Sequence, residues 1–140
     1  MRLHAKQVLT GGVLAVALIA LAASATLGAS NVKITNCVKA SARPRTLTLT
    51  CGDGNTVLTG LRWSSFGGSV ASAGGTFETN TCNPNCAQGK VVRYSVTVKA
   101  SEPRACKKGL RVYNKLALVF TGRAPSSTAG LKRWTLGCPT

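Results

Sequence analysis

The chain has 140 residues, with 18 lysines and arginines against three acidic residues, so its formal net charge is +15. The length excludes a large multidomain enzyme, and a hydrophobic content of 44% excludes an acidic disordered tail. One small, strongly basic domain remains, and its only histidine, His4, lies near the N-terminus.

The first thirty residues have the pattern of a secretory signal peptide. Arg2 and Lys6 give a positive start, Val13–Leu21 is an apolar stretch, and Ala23–Ala25 is a small-x-small cleavage site. We expect a signal helix over residues 1–25, cleaved after residue 25 or as late as residue 30, and a secreted domain over residues 31–140. An uncleaved membrane anchor stays open, because residues 8–29 carry no charge.

The first half of the mature chain predicts three strands. Thr46–Cys51 alternates polar and apolar residues, which predicts a strand with its leucines and Cys51 facing inward. Gly52–Asn55 is a turn signal, so a hairpin to a second strand over Val57–Phe66 should follow. Val70–Thr79 is rich in alanine, glycine and serine and predicts a weaker third strand.

The second half begins with Asn80–Lys90, which combines asparagine, proline, glycine and two cysteines and predicts a cross-linked loop. Val91–Ala100 predicts the strongest strand, and Ser101–Gly109 predicts a basic turn. Leu110–Phe120 predicts one bent strand or two short ones, the inward face changing midway as a bulge would explain. Leu131–Cys138 closes the chain. The inward residues of the strongest strand should be Val92, Tyr94, Val96 and Val98.

Outside the signal no window sustains a 3.6-residue apolar repeat, and turn signals recur about every ten residues, the spacing of β-sandwiches. We therefore predict an all-β fold: one disulfide-stapled antiparallel β-sandwich of six to eight strands, immunoglobulin-like in general architecture. Trp63 between cysteines is consistent with that architecture.

An even number of cysteines in an exported chain predicts disulfides. The pairing is open, because six cysteines allow 15 connectivities. A zinc site on Cys82 and Cys86 is disfavoured, because tetrathiolate sites come as two close pairs and the other four cysteines are scattered. We expect no metal and no cofactor. The six residues are Cys37, Cys51, Cys82, Cys86, Cys106 and Cys138.

Removal of the signal also removes the histidine, which leaves 16 basic residues (18 less Arg2 and Lys6) against Asp53, Glu78 and Glu102. Without imidazole the commonest general base and metal ligand is missing, so we expect a non-enzymatic protein. The enzymatic alternative is a small carboxylate-dependent hydrolase. It requires the carboxyl groups of Asp53 and Glu78 to converge within roughly 10 Å.

Three motifs resemble a family of small exported actinobacterial proteins of uncharacterised function. They are Cys51–Asn55 (CGDGN), Leu61–Gly67 (LRWSSFG) and Cys82–Gly89 (CNPNCAQG). The family pattern is C-(A/G)-D-(A/G)-N, then W-x-x-aromatic-G, then C-x-P-x-C-A-x-G, and the likeness spans about residues 37–122. This resemblance implies export and a β fold, and it assigns no catalytic residue. The chain departs from the pattern at Phe66, where a second tryptophan is frequent.

Two cysteines, Cys106 and Cys138, fall outside the four-cysteine pattern of that family. The resemblance therefore implies that these two pair with each other. Cys37, Cys51, Cys82 and Cys86 would then pair among themselves, in one of three ways that stay open.

The adjacent pairs Arg62–Trp63 and Arg93–Tyr94 interleave basic and aromatic residues, a pattern typical of nucleic-acid binding. Neighbours along a strand face opposite sides of the sheet. We therefore expect the aromatic rings in the core and the arginines in water, and we predict no specific nucleic-acid partner.

The densest basic cluster surrounds Cys106, and only Glu102 is an acidic neighbour in sequence. Unpaired cations predict an anion-binding surface, whereas the alternative is a solvated surface that keeps the protein soluble. The predicted function is a secreted, monomeric, cationic domain that binds anionic envelope or extracellular polymers. The alternative is a protein-interaction or inhibitor domain that uses the loop Asn80–Lys90. The predicted anion-binding residues are Arg104, Lys107, Lys108, Arg111 and Lys115.

Overall fold

The computed structural model describes residues 31–126 and 131–140, so the predicted signal peptide lies outside the described residues. Within these ranges the regular structure is all β apart from one short 3-10 turn, which confirms the predicted fold class. The strands are β1 (Val32–Asn36), β2 (Lys39–Ser41), β3 (Leu47–Thr48), β4 (Thr56–Ser65), β5 (Val70–Asn80), β6 (Val91–Ala105), β7 (Arg111–Phe120) and β8 (Arg133–Thr135).

All eight strands belong to one hydrogen-bonded sheet, in the order β2-β1-β7-β6-β5-β4-β3, with β8 also paired to β7. The long strands β4 to β7 form an antiparallel meander. The sheet curls into a half-barrel that surrounds its own inner face. The structure therefore has one curled sheet and not the predicted sandwich of two packed sheets. Each long strand pairs directly with the next one in sequence, and no crossover carries the chain to a second sheet.

The sheet is not wholly antiparallel, which corrects a second part of the prediction. β1 lies parallel to the start of β7, with Val32 opposite Arg111. β8 lies antiparallel to the middle of β7, with Trp134 opposite Leu116. Because β6 occupies the other edge of β7, β1 and β8 share one edge of that strand, one after the other.

The core lies on the inner face of the curl. In β6 the side chains of Val96, Val98 and Ala100 are buried and alternate with exposed or half-buried ones, as the sequence pattern predicts. Phe77 in β5, the only large residue of the strand predicted to be weak, is fully buried. The largest fully buried side chains are Tyr113, Phe77, Ile34, Leu47, Leu58, Leu116, Val98 and Val112.

β4 carries extra residues relative to β5. The register shifts between Thr59 and Arg62, and again between Trp63 and Ser65, and such bulges bend a strand and increase its twist. Opposite the first shift stands Gly75. A Cβ atom there would lie 2.9 Å from the backbone carbonyl oxygen of Thr59 and 2.8 Å from a methyl carbon of Leu61, so a larger residue would displace the backbone of β4. Gly75 therefore admits the bulge.

Residues 101–105 form the end of β6, so the prediction of a basic turn over Ser101–Gly109 is wrong for its first half. The turn itself is confined to Lys107–Gly109. β7 is one continuous strand whose core-facing side changes between Tyr113 and Leu116, as predicted. The strand reaches this change of side without an inserted residue, because β6 and β7 keep the same register on both sides of Glu102. Glu102 itself has a φ of 54°.

One disulfide joins the two ends of the curled sheet. β3 is the last strand at one end of the order, and β1 is the second strand from the other end. Cys37 directly follows β1 and is bonded to Cys51, which follows β3. Nearby, the side-chain oxygen of Asn36 accepts a hydrogen bond of 2.9 Å from the backbone N–H of Thr48. The half-barrel is therefore fastened covalently between strands that do not pair.

The strand predicted over Thr46–Cys51 is shorter than expected. Only Leu47 and Thr48 pair with β4. Leu47 is fully buried, as predicted, but Cys51 is exposed and lies in the turn rather than facing the core. Cys51 is instead bonded to Cys37 at the end of β1.

The other two bridges are Cys82–Cys86 and Cys106–Cys138. The pair implied by the family resemblance, Cys106 with Cys138, is confirmed. The structure also selects one of the three open arrangements of the remaining four cysteines. No free cysteine occurs among the described residues.

Candidate anion-binding surfaces

Four of the predicted cations surround the short turn between β6 and β7, and we call them the turn cluster: Arg104, Lys107, Lys108 and Arg111. Two backbone hydrogen bonds close the turn: the N–H of Cys106 donates to the carbonyl oxygen of Leu110, and the N–H of Leu110 donates to that of Lys107. The Cys106–Cys138 disulfide ties it to the C-terminal segment. Each cation of the cluster is exposed to solvent.

The turn cluster spreads over both faces of the sheet. Arg104 lies opposite Val112 in the register, and Arg111 lies opposite Ala105. Because paired residues share a face and neighbours along a strand alternate, the two arginines project to opposite sides of the β6–β7 pair. The two lysines occupy the turn beyond the strand ends. The cluster is therefore a charged rim and has no single face.

A cavity of about 790 Å³ lies beside this rim. It is enclosed by the turn and by the C-terminal residues Cys138, Pro139 and Thr140, together with Lys107 and Lys108. The Cys106–Cys138 bridge therefore forms part of its wall.

The fifth predicted cation, Lys115, is separate from the turn cluster. It lies opposite Ser101 in β6, four residues along β7 from Arg111, which corresponds to about 13 Å of strand. The sequence groups Lys115 with the turn because both are near residue 110. The strand register instead brings Lys115 close to Arg133 of β8, and together these two residues line a cavity of about 370 Å³.

Sequence reasoning missed a third group of cations, at the β4 edge of the sheet. Arg43, Arg45 and Arg62 line a cavity of about 350 Å³ with Leu61 and Trp63. Arg43 and Arg45 are neighbours in the sequence, but Arg62 lies 17 positions after Arg45. The backbone hydrogen bond from Leu61 to Arg45 brings Arg62 close to them, which spacing along the sequence does not indicate.

Trp63 and Tyr94 pack against the core, and both are half-buried. The indole N–H of Trp63 donates a hydrogen bond of 2.8 Å to the carbonyl oxygen of Pro44. Arg62 and Arg93 are exposed. The predicted orientation, with rings toward the core and arginines in water, is confirmed.

The carboxylates considered for hydrolysis both have local partners. Glu78 Oε1 lies 3.3 Å from Arg93 Nε and accepts a hydrogen bond of 2.8 Å from the Thr59 hydroxyl. Asp53 accepts hydrogen bonds from the backbone and side-chain N–H groups of Asn55. Asp53 therefore stabilises the turn between β3 and β4, while Glu78 is held near the C-terminal end of β5.

The turn geometry lowers the pKa of Asp53 below its ordinary value of 3.8, chiefly because the backbone N–H of Asn55 donates to its carboxylate, with a further contribution from the Thr50 hydroxyl. A lowered folded-state pKa stabilises the fold above the unfolded pKa, and this contribution is lost as the pH falls through the folded value. We expect the carboxyl carbon of Asp53 to titrate in NMR with a midpoint below 3.8. A midpoint above that value would contradict the turn geometry.

The loop Asn80–Lys90 is exposed and internally braced. Thr81 and Lys90 exchange two hydrogen bonds across its base, and the Asn80 side chain bonds to Cys82 and Cys86. The Cys82–Cys86 disulfide closes the tip. The side chain of Asn55 contacts both sulfur atoms at 3.6–3.8 Å. The β3–β4 turn therefore supports this loop, which is cross-linked as predicted.

In the described parts of the chain, residues 31–126 and 131–140, no group of three or more histidine, cysteine or acidic residues is placed to hold a metal ion. The same ranges contain no helix that is long and apolar enough to cross a membrane.

The chain was compared with known proteins at the level of both sequence and structure. No protein-family model, curated protein or solved structure matches it.

Proposed function

We propose that the mature domain is a secreted, non-enzymatic, cationic module that adsorbs to anionic polymers of the cell envelope or the extracellular space. The main support is that the lysines and arginines of the described residues have few acidic partners within the domain. Among the described residues, only Arg93 lies within ion-pair distance of an acidic side chain, Glu78. Even this pair is exposed on the arginine side, and such pairs contribute only about 0–1 kcal/mol.

Unpaired lysines and arginines at a surface create a positive potential that attracts polyanions and releases their counterions on binding. The turn cluster adds four cations on one rim of the domain, and it lies at the end of the sheet where β6 turns into β7. The three disulfides support an extracellular location, because such bridges persist in oxidising compartments.

The test is a pair of triple variants with the same loss of charge. We expect Lys107→Ser, Lys108→Ser and Arg111→Ser together to weaken binding to a polyanion about tenfold at low salt. They should also make the slope of log affinity against log salt shallower by up to about 3. The measurement is isothermal titration of the mature protein with polyphosphate over a salt series.

The matched control carries Lys39→Ser, Lys90→Ser and Arg123→Ser, which removes three exposed charges that line none of the cavities described above. This control should weaken binding much less than the turn variant. Equal losses from the two triples would show that the turn cluster is no site and that only the net charge matters.

A second candidate function rests on the braced loop Asn80–Lys90. Its tip presents Asn83, Pro84 and Asn85 to solvent, and a rigid, exposed loop suits protein recognition because little ordering entropy is lost on binding. Asn83→Ala with Asn85→Ala should leave polyanion binding unchanged. Loss of envelope adsorption in this double variant, and not in the turn triple, would favour the second candidate over the first.

A further inference from the structure

The outer face of the sheet, opposite the core, carries three cations that the strand register brings together. Lys99 of β6 and Arg133 of β8 both lie opposite Ala117 of β7. Lys115 lies two residues before Ala117 on β7 and is therefore a diagonal neighbour of both, at about 7–8 Å between backbones. Leu116 and Leu118 on β7 are buried, so Ala117 between them projects outward, and Lys115 is exposed. We call Lys99, Lys115 and Arg133 the sheet triad.

Hydroxyl groups extend this arrangement. Ser101 of β6 and Thr135 of β8 lie opposite Lys115 on either side, and the Lys115 ammonium is 3.4 Å from the Thr135 hydroxyl. These residues line the cavity of about 370 Å³ together with Ala117, Arg133, Leu116 and Trp134. Lys99 is not part of this lining, but it lies opposite Ala117 on the neighbouring strand. The methyl group of Ala117 forms the floor of the cavity between the three cations. Because this group is small, a ligand can approach the sheet between the long cationic side chains.

One acidic residue, Glu102, also lines this cavity. In the described part of the chain it lies within ion-pair distance of no lysine or arginine. Three cations and one carboxylate leave a local charge of +2. The site therefore complements a compact group that carries two negative charges better than it complements an apolar or neutral ligand.

We propose that the sheet triad is a shaped subsite for a tetrahedral oxyanion, a phosphate or sulfate group carried on a polymer. This inference rests on the proposed function and adds to it a defined place and a defined ligand chemistry. Lysine and arginine donate charge-assisted hydrogen bonds to such oxygens, and the hydroxyls of Ser101 and Thr135 supply neutral donors beside them. The turn cluster then gives long-range attraction, and the triad gives the close contact.

The most specific test changes the shape of the subsite and keeps its charge the same. Ala117→Leu fills the floor of the subsite without altering the net charge. We expect it to weaken binding to polyphosphate or to dextran sulfate about tenfold, because the oxyanion can no longer reach the cationic groups. The measurement is isothermal titration at fixed salt, with near-ultraviolet circular dichroism to show that the variant is folded.

The matched control is Ser95→Leu, which adds the same side chain at an exposed position of β6 on the same outer face. It should leave both affinities unchanged. A loss with polyphosphate alone assigns the subsite to phosphate, and a loss with dextran sulfate alone assigns it to sulfate. Unchanged binding of Ala117→Leu to both polymers, or an equal loss in Ser95→Leu, overturns the inference.

A second pair of variants acts in the opposite direction and so does not depend on damage to the fold. Glu102→Gln removes the carboxylate from the cavity and should raise the affinity a few-fold, because a like charge no longer opposes the oxyanion. Asp53→Asn makes the same change in net charge at the β3–β4 turn and should leave the affinity unchanged. Equal gains from the two variants would contradict a local site.

Failure of this inference is distinguishable from failure of the proposed function. If the wild-type protein binds both polymers and Ala117→Leu binds them equally well, the domain is a polyanion binder without this subsite. If the wild-type protein binds neither polymer, the proposed function fails as well.

Discussion

Phe77→Ala is expected to lower the free energy of unfolding by about 3–5 kcal/mol, the cost of removing a large buried aromatic side chain. Phe77 is completely buried, and its ring meets that of Phe120 edge-on with the centroids 5.3 Å apart. Leu58 and Tyr94 lie opposite it on the two neighbouring strands. Truncation therefore leaves a cavity where three long strands meet. Because domains of this size have only about 5–15 kcal/mol of stability in total, the variant should be close to unfolding.

The measurement is urea denaturation with all disulfides intact, followed by tryptophan fluorescence. Val119→Ala is the control, because Val119 is 52% exposed on the outer face of β7. This surface change should fall within about 0.5 kcal/mol of wild type. A loss below about 1 kcal/mol in Phe77→Ala would mean that β5 is not part of the core.

Replacement of Cys37 and Cys51 together by alanine is expected to cost about 3 kcal/mol, from the chain entropy of a 14-residue loop. It should also loosen the half-barrel between β1 and β3. The bridge is the covalent link between β1 and β3, and the hydrogen bond from Thr48 to Asn36 remains as a noncovalent one. Amide hydrogen exchange should therefore accelerate in β1 and β3 more than in β5 and β6.

The control removes a different bridge, with Cys82 and Cys86 both replaced by alanine. Their sequence separation is only four residues, so the entropic cost is about 2 kcal/mol, and the loosening should stay within the Asn80–Lys90 loop. If the two double variants lost the same stability, or if exchange in β1 and β3 did not change in the first, the fastening of the curl by Cys37–Cys51 would be wrong.

The meander from β4 to β7 is the part of the fold that the sequence predicts best. Period-two alternation in Val91–Ala100 predicts both a strand and its buried side, and Val96 and Val98 are buried as expected. This succeeds because consecutive antiparallel strands need only local turn signals to pair. The end of β6 is missed because Pro103, which lacks an N–H, and the charges around it are typical of a turn.

Long-range pairing explains the remaining differences. Val32–Asn36 is short, and its parallel partner lies almost eighty residues away at Arg111, a relation that no local pattern encodes. Bulges help to decide whether a sheet buries its inner face by packing on a second sheet or by curling on itself. The bulge opposite Gly75 is seen only in the strand register, so the sequence does not predict it.

The candidate site divides in the same way. Charge along the sequence is enough to find the turn cluster, because its residues are neighbours in the chain. The sheet triad requires the register of three strands, and Lys99 and Arg133 are 34 positions apart in the printed sequence. Lys115 is identified as a candidate from the sequence, but its companions are not.

The most direct test of the account is adsorption of the mature protein to isolated cell-envelope fractions over a salt series. At physiological ionic strength the Debye length is only about 8 Å, so exposed charges lose most of their reach. We expect strong adsorption at low salt, a linear fall of log affinity with log salt, and release at high salt. Adsorption that persists unchanged in high salt would contradict the account, because an apolar or otherwise uncharged surface would then carry the binding.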